Sequence, residues 1–242
     1  MHLILTGATG LVGSAVLQNM LTMESVTKIS ILSRRPVPMI QGHEDKAQVI
    51  IHKDFETYPP ELLGQLKDAQ GCVWAQGISA MKVSKPDYIK ITIDYPLAAA
   101  TAFCTLHPTT PFTFVYVSGE GATTSPGMLT SFFGKIKGQA ESALLALNAT
   151  HPNLRPYSVR PGGVDPGEHT EIQGFASPQP MWQKPVLVGV KALYPSLHAP
   201  SRELGKVLTE LALSKGEALE GRGVEGEGRI VNNVGWRRMV GL

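Results

Sequence analysis

The sequence predicts an α/β fold, a doubly wound parallel sheet in a single domain, on three observations. Apolar runs short enough for buried strands alternate with segments of helical period along the chain. No internal repeat interrupts that alternation, so the strands belong to one sheet rather than to independent units. The first strand also runs directly into a glycine-rich turn that opens a helix, the local pattern of a parallel strand-to-helix crossover.

His2-Leu3-Ile4-Leu5 is the first strand, and Thr6-Gly7-Ala8-Thr9-Gly10-Leu11-Val12-Gly13-Ser14 the turn and helix start, with apolar residues recurring at Val12, Val16 and Met20. Gly7 permits the tight turn, Gly10 lets a pyrophosphate approach the backbone, and Gly13 lets the helix pack closely on the strand. The first-turn amides and the positive end of the helix dipole then face the phosphates. Gly7, Ala8, Thr9, Gly10, Leu11, Val12 and Gly13 are therefore a candidate dinucleotide cradle.

The second strand, Lys28 to Leu32, ends in Ser33-Arg34-Arg35-Pro36, about twenty residues beyond the cradle, where such a unit reads the ribose. No carboxylate stands there to accept from a free 2′-hydroxyl. Two guanidiniums and a hydroxyl suit a 2′-phosphate and favour NADP over NAD; the alternative is a pair of solvated surface arginines.

Ala47 to His52 is the third strand, and Lys53-Asp54-Phe55 follow it where the adenine would lie. Asp54 is either an adenine contact or a helix cap, and Phe55 a ring face. Pro60 to Leu66 is a short helix opened by prolines. Cys72-Val73-Trp74-Ala75 is the fourth strand, and the small tip Ala75-Gln76-Gly77 leaves room for the inner ribose.

Pro86 to Leu106 reads as one long helix with an alanine run. Phe112 to Val117 is the fifth strand, stopping at Ser118-Gly119-Glu120, where parallel sheets place their chemistry. Ser131 to about Asn148 is a helix, and Tyr157 to Arg160 the sixth strand, ending in Pro161-Gly162-Gly163-Val164. Backbone amides there suit a carboxamide. Gly167 to about Pro200 is proline-rich, Ser201 to Leu213 a capped amphipathic helix, Gly216 to Gly228 a loop, and Arg229 to Asn232 an edge strand.

Composition narrows the function classes. The 242 residues are 43% hydrophobic and 17% charged, enough for one sizeable core. A net charge of +2, with basic pairs only at Arg34-Arg35 and Arg237-Arg238, argues against nucleic-acid or membrane partners. Cys72 and Cys104 sit in apolar settings and read as reduced core residues; no metal site is expected. The first strand begins at once, leaving no room for a signal peptide, and no apolar stretch reaches the length of a membrane span, so a cytoplasmic protein is expected.

Together the glycine spacing, Ser118, a lysine on the next helix at Lys137, and Pro161-Gly162 resemble the short-chain dehydrogenase/reductase family, in its atypical and extended branches. The similarity covers roughly residues 1 to 165, the cofactor-binding core of a Rossmann fold; residues 166 to 242 are consistent with its variable substrate-binding part. The resemblance implies that Lys137 binds the nicotinamide ribose and Ser118 bonds the substrate carbonyl. It also implies a tyrosine general acid four residues before the lysine, where this chain has Phe133. A phenyl ring has no proton to give, and that help is worth about a hundred- to ten-thousand-fold. The helix from Pro86 also lacks the asparagine that many members place there.

Glu120, Tyr194, His169 and His198 are candidate substitutes for the acid, each with a plain surface or core alternative, and Tyr116 is a poorer one, two residues deeper in the strand. The leading expectation is an NADP-dependent oxidoreductase of this type acting on a small organic substrate, one with a polarised double bond or imine. The alternatives are a non-redox isomerase, dehydratase or cyclase with a pocket shaped by Phe132, Phe133, Met181 and Trp182, or a non-catalytic NADP(H)-binding regulatory protein. The expected partner is a small-molecule substrate; a homodimer is left open.

Overall fold

A computed structural model describes residues 1–176 and 194–242. Its eight-stranded sheet has the order β3-β2-β1-β4-β5-β6-β10-β9. The strands are β1 (His2–Thr6), β2 (Lys28–Ser33), β3 (Ala47–Ile51), β4 (Ala69–Trp74), β5 (Phe112–Val117), β6 (Leu154–Val159), β9 (Val224–Glu225) and β10 (Ile230–Val231). All neighbours are parallel except β9 and β10. Two further strands, β7 (Gly163–Asp165) and β8 (His198–Pro200), pair by themselves.

Strand alternation divides the core in two. Leu3 and Leu5 face α1 (Leu11–Thr22) and α6 (Ser201–Leu213), while Ile4 faces α2 (Pro60–Leu66), α4 (Tyr95–Phe103) and α5 (Phe132–Thr150). Apolar burial on both faces is what a doubly wound sheet requires. Chain order reverses beside β1, with β2 on one side and β4 on the other, and the glycine turn leaves β1 at that switch point.

The elements follow the sequence pattern with three corrections and one added helix. The helix from Lys85 is not continuous: α3 (Lys85–Ile89) gives way to a π turn, Lys90–Asp94, before α4. The strand at Ile230–Val231 is not an edge, because it pairs with β6 and is covered by β9, which forms inside the stretch read as a loop. Ser201 does not cap α6; Pro200 holds that position, and the Ser201 hydroxyl lies 3.0 Å from His169 Nδ1. A last helix, α7 (Asn233–Met239), is capped by Asn232, whose side chain accepts from the Gly235 amide. No helix among the described residues is long and apolar enough to cross a membrane, and both cysteines are free and buried.

Candidate active site

The C-terminal ends of β2, β1 and β4 enclose a cavity of about 510 Å³. Its floor is the glycine turn, with Gly7, Thr9 and Gly10 in the wall. Gly7 takes φ +72°, and a Cβ there would stand 2.4 Å from the Ala75 carbonyl oxygen; one on Gly13 would stand 2.0 Å from that of Gly7. Only hydrogen fits at either position. Gly10 is the N-cap of α1 and supplies no side chain to its first-turn amides, which remain for a ligand. The backbone thus fits a pyrophosphate. Ala8 in the turn and Leu11 and Gly13 in the first turn of α1 do not line the cavity, and Val12 lines a second cavity next along the sheet.

Ala75, Gln76 and Gly77 form the wall beyond β4, and Leu32 and Ser33, at the end of β2, the opposite wall. The Ser33 hydroxyl accepts from the Arg35 amide at 3.3 Å and shapes the rim on which Arg34 and Arg35 stand exposed. Neither guanidinium has an ion pair or hydrogen bond among the described residues. Phe55 is buried in the wall, edge-on to His52 and Trp74 at 5.0 and 5.8 Å between ring centres.

Asp54 is not brought to this cavity. Its carboxylate accepts from the Glu56 amide at 3.0 Å and the Thr57 hydroxyl at 2.9 Å, bonds that hold its pKa below the usual value. It caps a turn rather than a helix.

The second cavity, also about 510 Å³, opens where β5 and β6 end. Ser118 is fixed by its amide, which donates to Val159 at 2.8 Å, yet its hydroxyl is buried without a partner. Phe133 reaches across from the first turn of α5, with Cζ 2.8 Å from where a Cβ on Gly119 would stand. Pro161, Gly162, Gly163 and Val164 form the opposite wall, and Val12, Val117 and Leu197 complete an apolar lining.

Lys137 lies one helical turn beyond Phe133 and is 8% exposed. Its ammonium donates to the Val117 carbonyl at 2.9 Å and lies 4.6 Å from the centre of the Tyr116 ring. Burial pulls its pKa down to about 8, against an upward pull from the Glu141 carboxylate. Glu141, fully buried, is held by Arg160 at 2.6 Å, and Arg160 also reaches Glu225 on β9 at 3.0 Å.

The other candidates for the acid are occupied elsewhere. Glu120 is in the wall, but one carboxylate oxygen accepts from the Asn233 amide at 3.1 Å, at the start of α7. His169 bonds Ser201, and His198 pairs with Asp165 at 2.9 Å; both line a separate cavity of about 350 Å³. Tyr116 is buried and donates to the Thr92 carbonyl in the π turn. Tyr194 is exposed, Phe132 packs on Tyr88 at 5.7 Å outside the cavity, and Met181 and Trp182 lie outside the described residues.

Two residues of the second site were not legible locally. Leu197 comes from the proline-rich stretch, and Asn233 reaches the site from the far end of the chain. An Asn-Asn pair after a strand signals a helix cap; Asn232 is that cap, which leaves Asn233 buried in the first turn.

No family model matches the chain. The leucinostatins biosynthesis cluster protein T of Purpureocillium lilacinum is 35% identical over 261 residues, covering 98% of this chain and 94% of that protein. The botcinic acid biosynthesis cluster B protein 16 of Botryotinia fuckeliana is 40% identical over 54% of this chain and 87% of its own length. Among solved structures, the short-chain dehydrogenase/reductase YIR035C of Saccharomyces cerevisiae superposes with a TM-score of 0.67 at 15% identity, over 96% of this chain and 95% of that one. The enzyme WbmF of Bordetella bronchiseptica, solved in complex with NAD+, superposes with a TM-score of 0.65 at 13% identity, over 96% of this chain and 72% of that one. The chain belongs to one family with the leucinostatins cluster protein T, and its fold is the Rossmann-like fold of the short-chain dehydrogenase/reductase structures.

Proposed function

We propose that the protein is an NADP(H)-dependent oxidoreductase of the short-chain dehydrogenase/reductase type that acts on a small organic substrate. The observation that carries this reading is the succession of two cavities along one sheet edge. A glycine cradle rimmed by two uncommitted guanidiniums is followed by a buried, partnerless Ser118 hydroxyl beside Lys137. Arg34 and Arg35, with Ser33 between them and the floor, would hold the 2′-phosphate; the first-turn amides of α1 would hold the pyrophosphate.

A nicotinamide bound there supplies or accepts a hydride. The chain's own residues do the rest. The Ser118 hydroxyl donates to an oxygen or nitrogen on the substrate, since a buried hydroxyl without a partner costs free energy that a ligand acceptor recovers. The Lys137 ammonium has donors beyond the one spent on Val117 and would hold the ribose. The apolar wall of Val12, Val117, Phe133, Val164 and Leu197 would seat the apolar part of the substrate and the nicotinamide face.

Phe133 gives no proton, so the reading favours reduction of a polarised double bond or an imine, whose proton water supplies. Titration of the purified protein with NADPH and NADH, by fluorescence or calorimetry, tests the first half. Tight NADPH and weak NADH are expected, and equal affinity would remove the NADP assignment. Substrate-dependent NADPH consumption tests the second half. Phe133 also favours one competing reading, a non-redox enzyme on the same fold, which would form product with no net NADPH oxidation. Nucleotide binding without any product would leave the regulatory reading.

A further inference from the structure

We infer that Asn233 is the positioning residue that ties the Gly162 loop to the 195–198 segment, so that a nucleotide seated against the loop orders the segment facing the substrate. The side chain is buried and every polar atom of its amide is engaged. Its Oδ1 accepts from the Gly162 amide at 2.7 Å and from Trp236 Nε1 at 3.0 Å. Its Nδ2 donates to the carbonyls of Ser196 at 2.6 Å and His198 at 3.3 Å. These partners fix which end of the amide is oxygen, because two are N–H groups that only donate and two are carbonyls that only accept. Its own backbone amide donates to Glu120, so α7 meets a third part of the cavity wall.

One planar group therefore joins two walls of the second cavity. Gly162 is so close to the segment that a Cβ there would stand 2.1 Å from the Leu197 carbonyl oxygen, and the segment cannot shift toward the loop without moving it. His198 is held independently, by Arg237 on its carbonyl at 2.6 Å, by Asp165 on its ring at 2.9 Å and by the pairing of β8 with β7, which leaves the turn at Ser196 and Leu197 dependent chiefly on Asn233. Buried and fully satisfied, such a network has one low-energy arrangement and transmits displacement from one wall to the other.

The inference rests on the nucleotide reading above for its functional half only. Asn233→Asp separates the two grips: a carboxylate still accepts from Gly162 and Trp236 but cannot donate to Ser196 and His198. In nucleotide-free protein we expect the amides of Leu197 and His198, which close the turn at Tyr194 to His198, to exchange hydrogen about tenfold faster, the loss of about one hydrogen bond. The Gly162 amide should keep its wild-type rate, whereas Asn233→Ala should release it too.

Unchanged exchange at Leu197 and His198 in the Asp variant would overturn the inference. So would equal acceleration in the Gly162 loop. A second measurement needs no variant that must fold: NADPH added to wild type should slow exchange at Ser196 and His198, neither of which lines the nucleotide cavity. Bound NADPH without that protection also overturns it. If NADPH binds neither protein, the cofactor reading fails, and the nucleotide-free contrast still decides the role of Asn233.

Discussion

The two cavities are equal in volume and adjacent along the sheet, and they are built by different means. The cavity at the glycine turn is largely backbone: a turn in which glycines are sterically required, a bare helix N-terminus and three strand tips. The cavity at Ser118 is assembled from side chains and segments far apart in sequence, with Phe133 on α5, Leu197 before β8 and Asn233 on α7. The first could host the same ligand under many sequences. The second is specific to this one, and its chemistry turns on single side chains.

The largest effect is expected where the second cavity departs from a proton-donating site. Phe133→Tyr adds a hydroxyl at the ring end that packs on Gly119 beside the partnerless Ser118. Reduction of small ketones with NADPH should rise by about a hundred- to ten-thousand-fold, the usual worth of general acid catalysis. A variant that binds NADPH and stays inert toward carbonyls would favour a pocket built for something other than carbonyl reduction.

The first cavity breaks through backbone. Gly13→Val sets carbons against the Gly7 carbonyl and the Ala8 amide, neither of which can yield without opening the turn. A loss of about 3 kcal/mol in urea unfolding is expected, as for an overpacked core position, together with loss of NADPH binding. Retained stability would mean that α1 slides on β1, and the cradle would then not be rigid.

This difference in construction also explains what could be read without coordinates. The strand ends, the cradle, the arginine rim and Ser118 follow from periodicity and from residues adjacent in the chain, signals a single segment carries. The π turn has a signal of this local kind that is easily passed over: Pro96 has no N–H for the Thr92 carbonyl four residues before it, and the Tyr116 hydroxyl, arriving from β5, meets that carbonyl instead. The place of β10 inside the sheet depends on β9 folding back, and a two-residue strand among glycines has no pattern of its own. Asn233 and the Glu141–Arg160–Glu225 group join residues tens of positions apart, so local composition is silent about them.

The arginine rim tests whether side chains matter in the first cavity. Replacing Arg34 and Arg35 together with alanine should weaken NADPH by about 2–4 kcal/mol, the worth of lost charge-assisted bonds, and leave NADH nearly unchanged. The double variant should unfold like wild type, since neither side chain is paired or buried. Equal weakening of both nucleotides would make the arginines part of the general field and not readers of the 2′-phosphate.

The smallest effect separates the cavities by stability rather than ligand. Lys137 holds a charge against burial, with a folded pKa of about 8 where the unfolded chain has the ordinary 10.5. Between those values the unfolded state binds more protons, so wild-type stability rises as pH climbs from 8 to 10.5 and is lowest, through this group, at and below neutrality. Lys137→Met removes the buried ammonium and keeps most of its volume. It should be more stable than wild type by about 1–2 kcal/mol at pH 7, after allowing for the lost bond to Val117, and the gap should close as pH rises past 8. Chemical denaturation from pH 6 to 10 reads the slope directly. A gap independent of pH would mean that Lys137 acts on stability by packing alone, whereas a closing gap with loss of NADPH affinity would mark a site that holds a costly charge for its ligand.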